Sequence, residues 1–138
     1  VTCETTPHDI NGTSCPDGTA TGRALVGATP VLAGITESVG QSRAEAFQQI
    51  LDCFHSNHCA GVADTDCFCG IGVDPNNCFS TGTFASATGP CKNIVAVGAE
   101  STAIGDINNH FFDPTYAIGA AAAVIETCDQ FACVAECL

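Results

Sequence analysis

The chain has no tryptophan, no methionine, a single tyrosine and only three basic residues, Arg23, Arg43 and Lys92. Each scarcity excludes something. With eight phenylalanines and that one tyrosine as the only aromatics, and much of the apolar content in Ala and Val, the core is made of side chains that each bury little area, and it stabilises weakly by itself. A formal charge of −12 removes nucleic acid as a partner, because binding it takes clustered cations. Anionic membrane surfaces are disfavoured for the same reason. Long hydrophobic runs are missing too: the longest uncharged apolar stretch, Tyr116 to Ile125, is about half of the ~20 residues a bilayer span needs. There is no G-x-S-x-G elbow, no H-E-x-x-H and no Gly-rich phosphate loop, so no catalytic constellation is legible and the chain reads as a non-enzyme.

What the chain does have is cysteine. Eleven in 138 residues is the density of a disulfide-rich scaffold, at roughly 2–4 kcal/mol per bridge. Such a set belongs to an oxidising compartment, so the expected location is extracellular or cell surface. The start at Val1 fits a secreted chain after signal-peptide removal. The disulfide candidates are Cys3, Cys15, Cys53, Cys59, Cys67, Cys69, Cys78, Cys91, Cys128, Cys133 and Cys137. Their connectivity cannot be read from spacing, and the odd count leaves one cysteine for a partner chain or a free thiol, with Cys3 or Cys15 the favoured linkers.

Two regions follow from composition. Residues 1–42 are an extended arm rich in Gly, Thr and Pro. Its Asn11-Gly12 dipeptide marks a turn, and its short apolar pieces, with Leu25, Val26, Val31, Leu32 and Ile35, read as one or two strands. Residues 43–138 form a disulfide-stapled helical body, and the predicted fold class is mainly α, with three to five short helices. The first helix starts at Ser42, where Ser42 and Glu45 make a capping box, and buries Ala44, Phe47, Ile50, Leu51 and Phe54 before ending near Asn57. Cys53 to Cys91 is a knot of irregular backbone, with Asp74-Pro75-Asn76-Asn77 as a turn. Cys67 and Cys69, alternate residues of an extended piece, should bond in different directions. Later helices are expected from Pro90, from Ser101 toward Phe112, and from Asp113-Pro114 to about Cys128. The Gly119–Val124 stretch is read as a buried core helix that another backbone can approach closely.

Chemistry-bearing residues are few. Cys53, His55, His58 and Cys59 form a dense C-x-H-x-x-H-C cluster whose side chains zinc accepts, although paired cysteines cannot also ligate. No cofactor is expected, with haem or a divalent metal held by His55, His58 or Asp64 as the alternative.

Two resemblances add to this. Asp64-Thr65-Asp66-Cys67-Phe68-Cys69 resembles the D-x-x-C-x-C core of fungal CFEM domains, secreted helical modules of eight cysteines. Some of them bind haem through an Asp near that motif, and the resemblance makes Asp64 the counterpart. Over residues 47–137, the order Leu51-x-Cys53, His58-Cys59-Ala60, Cys67-Phe68-Cys69-Gly70, Cys78, Gly89-Pro90-Cys91, Asp113-Pro114-Thr115-Tyr116-Ala117-Ile118-Gly119, Cys128-Asp129, Ala132-Cys133 and Cys137 resembles cysteine-rich secreted or lipoprotein-associated proteins of myxobacterial type. That resemblance implies a compartment and a fold more than an activity.

The expected function is a structural protein, a subunit of an extracellular fibre or coat whose copies join as a homo-oligomer or filament through the arm. The alternative is a secreted module that binds a small ligand, haem or metal.

Overall fold

The structure, a computed structural model, describes residues 41–59 and 63–126, together with the backbone of two strands, β1 (His8–Ile10) and β2 (Thr13–Cys15). The strands pair antiparallel with Ile10 opposite Thr13; Asn11-Gly12, expected as a turn, lies outside the described residues. The remaining arm, with Leu25, Val26, Val31, Leu32 and Ile35, lies outside the described residues, as do Cys3, Cys128, Cys133 and Cys137.

The body is mainly helical. Among the described residues it holds six α-helices: α1 (Arg43–Asn57), α2 (Asp66–Cys69), α3 (Pro75–Thr81), α4 (Lys92–Ala99), α5 (Ile104–Phe111) and α6 (Ala117–Val124). One 3-10 turn, Phe84–Ser86, lies between α3 and α4. No helix among them is long and apolar enough to cross a membrane.

Helix α1 opens as the sequence predicts: the Glu45 N–H donates to Ser42 Oγ, and the Ser42 N–H donates back to the Glu45 carboxylate. Phe47, Ile50, Leu51 and Phe54 are buried on one face, with Ala46 beside them. Each of these large side chains contributes about 1.5–3 kcal/mol by leaving water. That face lies against α6 and α4, while α4, α5 and α6 touch one another. Two glycines permit the close packing. A Cβ at Gly98 would overlap the tip of Ile50, and one at Gly119 would overlap the carbonyl oxygens of Asp113 and His110.

Three disulfides close within the knot: Cys53–Cys91, Cys59–Cys67 and Cys69–Cys78. The first pins α1 to the start of α4. Cys67 and Cys69 do bond in different directions, but for another reason than an extended backbone. They lie in α2, where residues two apart are separated by about 200° around the axis.

Four helix starts differ from expectation. Asp74-Pro75 begins a helix instead of a turn: Asp74 Oδ1 accepts from the Asn76 N–H, and Pro75 sits in the first turn. Asp113-Pro114 does the reverse. Asp113 Oδ1 accepts from the N–H and hydroxyl of Thr115, making a turn, and α6 starts later, after Tyr116. Helix α4 starts after Cys91, two residues beyond Pro90. Helix α5 begins after Ala103, with Ser101 Oγ accepting from the Ala103 N–H and donating to Asp106.

Candidate ligand-binding site

An aromatic chain positions the site. The Cys69–Cys78 disulfide holds α3 against α2. Phe68 of α2 stacks on Phe79 of α3 at 5.7 Å between centroids, and Phe79 meets Phe111 of α5 edge-on at 5.8 Å. These rings hold α3 off α6, whose facing residues are small. Gly119, Ala122 and Ala123 fall at the i, i+3, i+4 spacing of one helix face, and together they leave a cavity of about 530 Å³.

Phe79, Phe111 and Phe112 form its aromatic side, with Phe112 79% exposed at the edge. Asp64, Thr65 and Glu126 bring the polar atoms, and Asn76, Ser80 and Asn108 add amides and a hydroxyl. Asp64 is only 9% exposed. Its Oδ1 accepts a 2.8 Å bond from the Thr65 N–H. Burial, and after it the charge of Glu126, pushes its carboxyl up to about 6, since a desolvated carboxylate beside another acid resists ionising. Next to it, Thr65 Oγ1 is shut off from solvent and has no hydrogen-bond partner among the described residues.

Among the described residues, the lining holds no Lys, Arg or His. Both cations of the described body are engaged elsewhere. Arg43 pairs with Glu100, donates to the Thr115 carbonyl at 3.1 Å and lies over the Tyr116 ring. Tyr116 in turn stacks on His110 at 3.5 Å. Lys92 donates to the Ala87 carbonyl and lies over Phe84.

The histidine candidates fall away from this pocket. His58 is the exposed, left-handed cap that ends α1, its N–H donating to the His55 and Phe54 carbonyls. His55 is half-buried in the last turn of α1. Neither lines the cavity. The described residues do hold one tight sulfur group, Cys59, Cys67 and Cys91. It arises because two disulfides lie side by side, with the Cys59 and Cys91 sulfurs 4.0 Å apart. Sulfurs so bonded have no thiolate to give a metal.

Of the sequence candidates among the described residues, Asp64 alone is brought into the cavity. The lining's charge suits haem poorly: the cofactor carries two carboxylates of its own, and Asp64 and Glu126 meet them with no cation. Sequence reasoning missed Phe79, Phe111, Phe112 and Glu126. For Glu126 a signal existed, since it continues the Gly119, Ala122, Ala123 face of α6 by one step. The chain matches no protein-family profile, no curated protein and no solved structure.

Proposed function

We propose that this chain is an extracellular binding module, not an enzyme, and that it takes a small, largely apolar molecule in the cavity between α3, α5 and α6. The supporting observation is a carboxylate nine-tenths buried in a roomy, aromatic-walled cavity. Burying Asp64 there costs stability, and a pocket lined mainly by apolar groups with a few placed polar ones is what small-molecule sites look like. The compartment is supported by three closed disulfides. The test is titration of the oxidised full-length chain with N-phenyl-1-naphthylamine, a neutral dye that brightens in apolar sites. Saturable binding should occur and be lost in Ala123→Trp, which fills the cavity. Undiminished binding to a folded Ala123→Trp chain rejects the site.

A second reading, assembly into a fibre or coat through residues 1–42, draws on the hairpin. A two-stranded sheet is marginal alone and gains by adding strands from a neighbour. Removing residues 1–40 should then leave a folded monomer where the full chain forms oligomers. A full chain that stays monomeric at high concentration under oxidising conditions rejects it.

A further inference from the structure

We infer that the molecule bound in this cavity is cationic: an amine or quaternary ammonium on an apolar body, with its positive end set between Asp64 and Glu126. This rests on the cavity being a ligand site, and adds the ligand's chemical class.

Four observations converge. Among the described residues, the cavity contains two carboxylate side chains and no basic one. The basic side chains of the described body are held by Glu100, Tyr116, Phe84 and backbone carbonyls, so none is available to neutralise Asp64. Asp64 is nine-tenths buried, with a backbone N–H as its bonded partner, and the Thr65 hydroxyl beside it is unsatisfied. A buried carboxylate without a counter-ion is costly, and a cation entering from outside removes that cost. Finally, Phe79, Phe111 and Phe112 present aromatic rings to the same space, and ring faces attract cations, most strongly when water is excluded. Ala122, Ala123 and the rings accept an apolar body, while the acids specify the sign of its head group. Glu126 and Asp66 are the acids whose charges act on Asp64, and both favour a positive guest.

The test uses the oxidised full-length chain at pH 7.5 and physiological salt, with three probes that share one body: 1-naphthylmethylamine, 1-naphthalenemethanol and 1-naphthaleneacetate. By calorimetry the amine should bind about tenfold or more tighter than the alcohol, equivalent to about 1.4 kcal/mol, and the acetate should bind weakest. Asp64→Asn should bring amine and alcohol within about threefold of each other while the alcohol still binds, and Glu126→Gln should act in the same direction. Ala123→Trp keeps every charge and should abolish binding of all three. If amine and alcohol bind the wild-type chain equally, and Ala123→Trp blocks both, the cavity is a neutral apolar site and the cationic inference fails alone. If the amine preference persists in Ala123→Trp, the chain's general negative charge causes it, and the inference again fails. If none of the probes binds, both the inference and the binding-module reading fall.

Discussion

Asp64 loses most of its water on folding, and what acts on its carboxylate instead is one backbone N–H and the charge of a second acid, Glu126. The consequence for stability has a definite sign. A carboxyl raised from 3.8 to about 6 in the folded state binds more protons folded than unfolded between those values. Stability through this group therefore falls as pH rises across that window and reaches a constant deficit above it. Two pH units correspond to roughly 3 kcal/mol. Asp64→Asn keeps the acceptor for the Thr65 N–H and removes the charge. Its stability relative to wild type should be near zero at pH 4, grow through pH 5 and 6, and approach ~3 kcal/mol at pH 7.5, as measured by urea unfolding of the oxidised ligand-free chain. A difference that does not vary with pH would show that Asp64 ionises freely. Asp64 was legible early through its place before Cys67-Phe68-Cys69. Glu126 carried a signal in its place on the small-residue face of α6, but its pairing with Asp64 was not legible, because the two lie far apart along the chain and only the packing of α6 brings them together.

Helix boundaries show where local signals are sufficient. Ser42 and Glu45 act within one turn, and their capping box forms as read. Asp-Pro occurs twice and ends differently. At Asp74 the carboxylate reaches the Asn76 N–H, and the helix that follows is held by Cys78 bonding to Cys69. At Asp113 the backbone is packed against Gly119, so the chain first turns through Thr115 and Tyr116 before α6 begins. The same dipeptide gives two structures because tertiary contacts decide between them, and those contacts are invisible to a local window. The two packing glycines should differ likewise. Gly119→Ala forces a methyl into fixed backbone carbonyls and should destabilise by roughly 2–3 kcal/mol. Gly98→Ala meets chiefly the end of the flexible Ile50 side chain, with the Ile118 backbone nitrogen at 3.2 Å, and the helix propensity of Ala returns ~1 kcal/mol, so its net loss should be smaller than that of Gly119→Ala. Equal losses in thermal unfolding would contradict this account of Gly119.

At the scale of the whole molecule, the three disulfides divide the work unevenly. Cys59–Cys67 and Cys69–Cys78 span 8 and 9 residues, whereas Cys53–Cys91 spans 38. In the chain-entropy account the long bridge contributes ~4 kcal/mol and each short one ~2.5. That cysteines would staple helices was legible from their density, but the pairing was not, since six positions within the knot admit many connectivities and only three-dimensional proximity selects one. The six pair among themselves, which leaves Cys3, Cys15, Cys128, Cys133 and Cys137, an odd number that cannot all pair within one chain. The same closure makes the knot separable by a protease. Arg43 precedes its first cysteine, Cys53, Lys92 directly follows its last, Cys91, and no Lys or Arg lies between Arg43 and Lys92. Trypsin acting on the unfolded, unreduced chain should therefore excise residues 44–92 as one internally bridged peptide, which gains two hydrogens per bridge when reduced. Any covalent link between subunits would then appear only on the flanking peptides. A mass spectrum that finds residues 44–92 joined to either flank would overturn the pairing.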